Sequence, residues 1–262
     1  MLKLQNVSKT FFPGTSNERK ALRGIDLHLA PQDFATVIGS NGAGKSTMLN
    51  IIAGSLSADS GTITLTDRAI NKVPGHKRAA QISRVFQDPQ AGTAPHLTIE
   101  QNMAIALYRG KRRTLAYAVT PSRRNQFRAE LEQLGLGLEN RLNTHVGLLS
   151  GGQRQALSLL MASYTRPAVL LLDEHTAALD PQRAELVTEL TEKVVARNQL
   201  TALMVTHNME QSLRLGDRLL MMHDGQIIAQ LDAEQKAKAT VSDLLEMFTQ
   251  VKGALSDRTL LT

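Results

Sequence analysis

The chain has 262 residues, a formal net charge of +6 and no cysteine. This length accommodates one α/β domain with a sizeable core, or a core domain that carries a smaller subdomain. The missing cysteines exclude a disulfide framework, a thiolate metal site and a cysteine nucleophile. The start of the chain, MLKLQNVSKTFF, lacks the basic and then apolar pattern of a signal peptide. No stretch approaches the roughly 20 apolar residues of a membrane span, which predicts a soluble cytoplasmic protein.

The positive charge is concentrated in one segment, residues 109–128, which holds seven basic residues and no acidic one. The rest of the chain is close to neutral, so the positive net charge comes from this segment alone. Two interpretations stay open: a solvated helical edge, or a surface that lies near anionic lipid headgroups. Nucleic acid is not expected, because only Tyr117 and Phe127 offer the segment a stacking face for bases.

Short β-rich runs alternate with amphipathic helical runs, a pattern typical of a layered α/β protein built around a largely parallel sheet. Residues 98–165 differ, because they show helical periodicity without a convincing strand, which predicts an inserted helical subdomain. Asp224 and Gly225 predict a hairpin turn between the last strands. The predicted strands are residues 2–7, 25–29, 36–38, 82–86, 169–172, 202–205 and 218–222.

The segment GSNGAGKST fits the pattern G-x-x-x-x-G-K-[ST], follows the predicted strand FATVI and opens a helical run. Glycines let backbone N–H groups converge on phosphate oxygens, and the helix N-terminus adds a favourable dipole. Lys45 is expected to reach the β- and γ-phosphates and Ser46 to offer a hydroxyl to Mg²⁺. Gly54 is expected to close the helix. We call this segment the phosphate cradle; it consists of Gly39, Ser40, Asn41, Gly42, Ala43, Gly44, Lys45, Ser46 and Thr47.

The run VLLLDE is the second part of a phosphoryl-transfer site. An apolar strand is expected to deliver Asp173 beside magnesium. Glu174 follows directly, where its carboxylate polarises an attacking water. An apolar run that ends in two acids is a weak signal alone, and the cradle makes it a strong one.

The sequence LSGGQ, residues 149–153, is followed by a helical run and resembles the signature motif of the ABC ATPase family. An N-cap formed by Ser150 would have the same sequence pattern. The cradle lies upstream and Asp173 and Glu174 lie downstream, in the order that the family has. In that family, each nucleotide is bound between the cradle of one protomer and the signature of the other, which here assigns ATP contacts to Ser150, Gly151, Gly152 and Gln153.

The resemblance extends over nearly the whole chain and assigns further positions. Phe11 is similar to the aromatic residue that stacks on adenine, with Phe12 as the second choice. Gln87 resembles the glutamine that contacts magnesium and the water. Asp180, in the segment ALD, resembles the aspartate of the loop that crosses the dimer interface and adjoins ATP. His207 resembles the histidine that hydrogen-bonds the γ-phosphate.

The resemblance implies a P-loop NTPase core with a largely parallel sheet, an antiparallel β subdomain and an inserted α-helical subdomain. It divides the chain into a nucleotide-binding core (1–97 and 166–235), a helical signature subdomain (98–165) and a C-terminal helix and tail (236–262). Wording such as VFQDPQAGTAP is similar to that of importer ATPases for small solutes such as amino acids. The loop 87–95 is expected to face the membrane partner.

The resemblance therefore implies an ATPase that uses ATP and Mg²⁺, forms a head-to-tail homodimer and lies on the inner face of the cell membrane. Its implied partners are permease subunits and a separate solute-binding protein. Two alternatives stay open: an exporter or lipid-extracting ATPase, and a soluble ATPase that acts on DNA or the ribosome. Against the latter, the chain has neither a second cassette nor a long coiled coil. Four positions depart from the commonest family wording, namely Ser40, Met161, His175 and Ala177.

Overall fold

Ten strands form two sheets in this computed structural model, which describes residues 1–111 and 117–260, the last ten of them by backbone alone. All seven predicted strands are present, several of them longer than expected. The strands are β1 (Leu2–Phe11), β2 (Arg19–Leu29), β3 (Phe34–Gly39), β4 (Ser60–Leu65), β5 (Arg68–Ala69), β6 (Ile82–Val85), β7 (Val169–Asp173), β8 (Ala202–Val205), β9 (Arg218–His223) and β10 (Gln226–Leu231).

The larger sheet has the order β10-β9-β3-β8-β7-β6 and is parallel except for β10. Every residue of β7 and β8 is buried, as expected of central strands covered on both faces. Because β3, β7 and β8 run in the same direction, their carboxyl ends meet at one edge of the sheet. That edge carries the end of the cradle strand and the two acids predicted above.

The smaller sheet is antiparallel with the order β2-β1-β4-β5. The sequence did not predict β4 and β5, whose connection, Thr66 and Asp67, lacks glycine and asparagine, the usual hairpin signals. Both turn residues have positive φ values of 49° and 62°. The two sheets are joined where Arg23 N donates to Gly225 O at 2.8 Å, and Gly225 belongs to the predicted turn between β9 and β10. The fold class is therefore the predicted one, with a parallel core sheet, an antiparallel sheet and helices.

Nine α-helices lie within the described residues, together with two short 3-10 turns at Leu138–Asn140 and Val146–Leu148. None of these helices is long and apolar enough to cross a membrane. The helices are α1 (Lys45–Ala53), α2 (Gly75–Arg78), α3 (Ile99–Leu107), α4 (Pro121–Glu132), α5 (Gly151–Ser163), α6 (Pro181–Asn198), α7 (Met209–Arg214), α8 (Ala233–Lys238) and α9 (Val241–Leu260).

Helix α1, which begins in the cradle, is fixed at both ends. Gly54 closes it in the left-handed conformation, as the sequence predicts. Arg78 is buried and its guanidinium donates to the carbonyls of Ile51 and Ile52 at 2.7 and 3.1 Å, so the last turn of α1 keeps its hydrogen bonds. The position of Ser46 at the other end of α1 therefore depends on packing well outside the cradle.

The segment predicted as a helical insert contains α3, α4 and α5. Its described residues form no named strand, and Thr98 caps α3 through a capping box with Gln101. At its core, the buried ring of Phe127 lies edge-on to Tyr164, with 6.2 Å between the ring centroids. The division into core and insert stays a prediction.

The predicted boundary at residue 236 lies inside α8. Asp232 caps α8 through a capping box with Gln235, so the helix begins at Ala233. Lys236 is buried and its ammonium donates to the carbonyls of Leu215 and Gly216. Helix α8 is therefore attached to the core, and α9 also packs against it through the buried Leu244, which lies in one cluster with Ile38 and Leu219.

The basic segment 109–128 is less available to a partner than its charge indicates, because four of its seven cations are hydrogen-bonded within the protein. Residues 112–116, with two more of these cations, lie outside the described residues. The four are Arg109 with Ser83 at 2.6 Å, Arg123 with the carbonyls of Tyr117 and Ala118, Arg124 with Glu100 at 2.6 Å, and Arg128 with Asn125 at 3.4 Å.

His175 lies buried between β7 and α6. The hydroxyl of Thr191 donates to Val187 O at 2.7 Å, so its oxygen accepts from His175 Nε2, 2.8 Å away. Burial lowers the pKa of His175 from its ordinary 6.5 to about 4. Between these values the unfolded chain binds a proton that the folded chain does not. The histidine's contribution to stability is therefore complete above pH 6.5 and is lost as the pH falls towards 4.

We predict that His175→Gln, which keeps a donor for Thr191 but does not titrate, makes unfolding less sensitive to acid. The difference in unfolding free energy between wild type and variant should fall by about 1.4 kcal/mol for each pH unit below 6.5. Urea unfolding between pH 7.5 and 4.5 measures it. His76→Gln, at an exposed position on α2, is the control. A difference that stays constant over this range would contradict the prediction.

Candidate nucleotide site

The cradle is a tight loop between β3 and α1. Gly42 and Gly44 have φ values of +84° and +100°, which favour glycine. A Cβ at Gly44 would lie 2.4 Å from Ala21 O, and one at Gly39 would lie 2.3 Å from Met222 O. No side chain fits at Gly39 or Gly44, so backbone from β2 and β9 supports the loop directly.

A cavity of about 310 Å³ opens beside the cradle. Lys45 is buried there, and its Nζ donates to the carbonyls of Gly39 and Ser40 at 2.7 and 3.1 Å. Burial lowers the pKa of Lys45, and the charges of Glu174 and Asp173 partly oppose this. The cavity is lined by Phe11, Arg19, Ala21, the cradle segment 41–47 and Glu174.

The two acids lie at the carboxyl end of β7, as the sequence predicts. Asp173 is the last residue of the strand and is buried. Glu174 has a φ of +45°, unusual for a residue with a side chain, and its N–H donates to Val205 O at 2.9 Å. The strained backbone turns the Glu174 carboxylate out of the sheet and into the cavity.

His207 follows β8 and meets Glu174 at this edge. Its Nδ1 lies 3.3 Å from Glu174 Oε2. Thr206, the preceding residue, belongs to a buried network centred on Gln211, whose amide contacts the hydroxyls of Thr206 at 2.8 Å and Thr188 at 2.7 Å. Gln211 also donates to Thr176, so one amide joins the loops after β7 and β8. No motif in the sequence marks Gln211.

Phe11 and Phe12, the two candidates for stacking on adenine, differ in their position relative to the cavity. Phe11, the last residue of β1, lines the cavity, and Lys9 Nζ lies 5.9 Å from the centre of its ring. Phe12 is 66% exposed, has a φ of +51° and does not line the cavity. The geometry therefore favours Phe11.

Gln87 is exposed at the start of the loop 87–95, one residue beyond Phe86. The loop is ordered by Asn102 of α3, whose amide exchanges hydrogen bonds with the backbone of Ala94 at 2.8 and 3.0 Å. Gln155 of α5 donates to Phe86 O at 3.0 Å. These contacts attach the loop to the helical insert at both of its ends.

The signature begins helix α5 and does not join the cradle of the same chain. Ser150 is the N-cap, and its hydroxyl accepts from Gln153 N at 3.3 Å, while Gln153 Oε1 accepts from Ser150 N. Gly151 and Gly152 lie against Leu179 and Arg183, on the loop before α6 and its first turn. Within the described residues, the signature does not line the cradle cavity.

Asp180 also has a local role, because it is the N-cap of α6. Its carboxylate accepts from Arg183 N at 3.1 Å, with Pro181 in the first turn. Like the signature, it does not line the cradle cavity. Its assignment to ATP stays a prediction, as do the roles of the other site residues.

Arg84 was also missed by the sequence analysis. It lies on β6, where it forms an ion pair with Asp173. The available signal was a cation within an apolar strand, ISRVF, three residues before Gln87.

Comparisons with known proteins agree with this geometry. A family model described as ABC transporter matches residues 22–177. The chain is 43% identical to a tyrosine transport ATP-binding protein of Clostridioides difficile, over 95% of this chain and 98% of the relative. It is 34% identical to an aliphatic sulfonates import ATP-binding protein of Agrobacterium fabrum, over 85% of this chain and 76% of the relative.

Solved structures match as well. The dimeric ATP-binding cassette MJ0796, in a post-hydrolysis state bound to ADP and Pi, has a TM-score of 0.76 at 28% identity and covers 89% of this chain and 99% of its own. The ADP conformation of the cassette MJ1267 has a TM-score of 0.77 at 27% identity, over 95% of this chain and 98% of its own. The chain therefore belongs to the ABC transporter family as an ATP-binding subunit, and it is an ATPase.

Proposed function

We propose that this ATPase hydrolyses Mg-ATP at two composite sites of a head-to-tail homodimer and thereby drives import of a small solute, such as an amino acid, through a membrane permease. One observation carries the proposal: Lys45, Glu174 and His207 meet at the carboxyl edge of the parallel sheet. Lys45 and Glu174 line one cavity, and His207 contacts Glu174 at 3.3 Å.

The cradle fits the triphosphate of ATP. Its glycines leave the backbone open to phosphate oxygens, and the N-terminus of α1 adds its dipole. Lys45 gives two N–H groups to the carbonyls of Gly39 and Ser40, which leaves a third for a phosphate oxygen. Phe11 lines the same cavity and offers an aromatic face to adenine.

The donor set also fits Mg²⁺, which prefers oxygen ligands and keeps several waters. Ser46 and Asp173 would hold the ion, with Gln87 as a further oxygen donor at the rim. The buried carboxylate of Asp173 lies close enough to influence the pKa of Lys45, so the two groups share one site. When bound, the ion neutralises charge on the phosphates.

Glu174 is the proposed general base. Its carboxylate would take a proton from water as the water oxygen attacks the γ-phosphorus and the bond to the β-phosphate oxygen breaks. His207 is the proposed γ-phosphate contact, and its Nδ1 lies 3.3 Å from Glu174 Oε2 at this edge.

Two chains are needed because the signature lies away from the cradle of its own chain. Ser150 caps α5 and the next residue, Gly151, lies beside Leu179, while the cradle cavity is lined by β1, β2, the cradle and Glu174. A second copy, related head to tail, would supply Ser150, Gly151 and Gly152 to the nucleotide and bring Asp180 to the interface. The similar cassette MJ0796 is dimeric.

The loop 87–95 is the proposed contact with the permease, at the inner face of the membrane. It begins at Gln87, after β6 at the carboxyl edge of the sheet, and is held by Asn102 of the helical insert. ATP can drive the permease only through contacts that differ between open and closed dimers. A loop that begins at the carboxyl edge of the sheet and is held at both ends by the insert meets this condition.

The name of the 43% identical relative supports an amino acid as the transported solute, because that protein is named for tyrosine transport. An importer of this kind would also use a separate solute-binding protein. Solute choice belongs to these partners, since the cradle contacts only nucleotide.

Replacing Glu174 with glutamine should lower steady-state ATP turnover by about 100-fold or more, because the amide cannot accept the proton from water. ATP affinity should remain, since the carboxylate acts in the transition state. Phosphate release and ATP calorimetry measure the two effects. Glu189→Gln, an exposed acid on α6, is the control. Turnover near the wild-type rate in Glu174→Gln would remove Glu174 from the role of base.

Mixing Ser150→Arg chains with Lys45→Ala chains should restore part of the ATPase activity that each variant lacks alone. In the mixed dimer one site has an intact cradle and an intact signature. Thermal unfolding of each variant separates this from loss of the α5 cap, which costs about 1 kcal/mol. Mixed dimers that form but show no activity would contradict two independent composite sites.

Proteoliposomes that contain the permease and this chain should take up labelled tyrosine when ATP is supplied.

Gln90→Lys, on the exposed part of the loop 87–95, should lower uptake about tenfold while the isolated chain keeps its ATPase activity. Gln81→Lys, exposed before β6, is the control. Uptake unaffected by Gln90→Lys would show that the loop does not couple the two proteins.

A further inference from the structure

Arg84 connects two elements of the nucleotide site. Its Nη2 donates to Asp173 Oδ2, and its Nη1 donates to Asn50 Oδ1 at 2.6 Å. The side chains of Arg84 and Asp173 are each only 13% exposed. The guanidinium also stacks over the ring of Phe86, 4.9 Å from its centre. Three contacts therefore fix one planar cation between β7 and α1.

The two acceptors lie on the elements that carry the proposed magnesium ligands. Asn50 comes four residues after Ser46 on α1, so both are on one face of that helix. Asp173 ends β7. By holding Asn50 and Asp173 at once, the guanidinium sets how far the helix with the Ser46 hydroxyl lies from the carboxylate.

We propose that Arg84 is a positioning residue for the magnesium site: it orients the carboxylate of Asp173 and fixes its separation from Ser46. This inference rests on the proposed function, since it assumes that these two residues hold Mg²⁺. Arg84 occupies Oδ2 of the carboxylate and leaves Oδ1 to face the ion or a water bound to it. Removing such outer partners of a metal ligand typically weakens metal binding by about 10- to 100-fold.

Arg84 has two opposite effects on the affinity for Mg²⁺. It raises the affinity because it orients Asp173, and it lowers the affinity because its positive charge repels the ion. Lysine separates the two effects: it keeps the positive charge but lacks the planar fork that bonds two acceptors at fixed geometry. Arg84→Lys therefore tests the geometric role with the charge unchanged. Asn50→Ala is a second variant, which breaks the link to α1 and leaves the ion pair with Asp173 in place.

The experiment measures binding of a non-hydrolysable ATP analogue to the full chain by calorimetry, with Mg²⁺ and with EDTA. The Mg²⁺ ratio is the affinity for the analogue with Mg²⁺ divided by the affinity with EDTA. We expect Arg84→Lys to bind the analogue in EDTA as tightly as wild type does. Its Mg²⁺ ratio should fall by about 10- to 100-fold. Asn50→Ala should also lower the Mg²⁺ ratio. Arg124→Lys is the matched control, because Arg124 makes two hydrogen bonds to Glu100 in the helical insert.

An unchanged Mg²⁺ ratio in both Arg84→Lys and Asn50→Ala would overturn the positioning role. Equal losses with Mg²⁺ and with EDTA would also overturn it, because they would indicate damage to the cradle. If wild type binds the analogue equally well with and without Mg²⁺, the magnesium assignment itself is wrong, and this inference fails with it.

Discussion

The parallel pairing of β3, β8 and β7 is the constraint on which the rest of the structure depends. The register aligns Phe34 with Ala202 and Leu170 with Ala202, so three chain segments distant in sequence end together. Only short loops then separate the strand ends from the site. The buried apolar residues of β7 and β8 make this pairing stable, because each loses its contact with water on both faces.

Local strain is concentrated where these strands end. Glu174 has a positive φ, whereas the positive φ values of the cradle fall on Gly42 and Gly44, where they cost little. Gly44 and Gly39 pack against backbone carbonyls of β2 and β9. A positive φ at a residue with a side chain costs free energy and persists only where the surroundings hold it. The sheet provides that support, so the backbone of the site is formed by the fold itself.

The helical insert shares a buried apolar cluster with the core sheet, and polar contacts join it to this edge. Gln155 reaches Phe86 O, Asn102 holds Ala94, and Gly92 approaches Ser158 so closely that a Cβ would lie 2.3 Å from its hydroxyl oxygen. A change at the rim of the nucleotide site therefore has a direct structural route to α3 and α5. The network of Gln211 similarly joins the loops after β7 and β8, so Glu174 and His207 do not depend on their own loops alone.

The sequence by itself determined the family, the fold class and the main chemical groups, because the cradle, the two acids and the signature are contiguous motifs whose spacing and order are diagnostic. It also predicted the closing role of Gly54 and the turn after β9, where local backbone preference is enough. It missed β4 and β5, whose turn carries no glycine, and it placed a boundary inside α8, because the contacts of Lys236 are with distant residues.

Only the tertiary structure decided which residues support the motifs. It separated Phe11 from Phe12 and joined Arg84 to Asp173 and Asn50. It also placed four cations of the basic segment in internal hydrogen bonds. The contacts of Arg84, Arg109 and Arg124 join residues 24 or more positions apart in the chain, and the choice of Phe11 depends on which side of a strand end its ring lies. Local sequence patterns carry no information about such meetings, because long-range packing sets them.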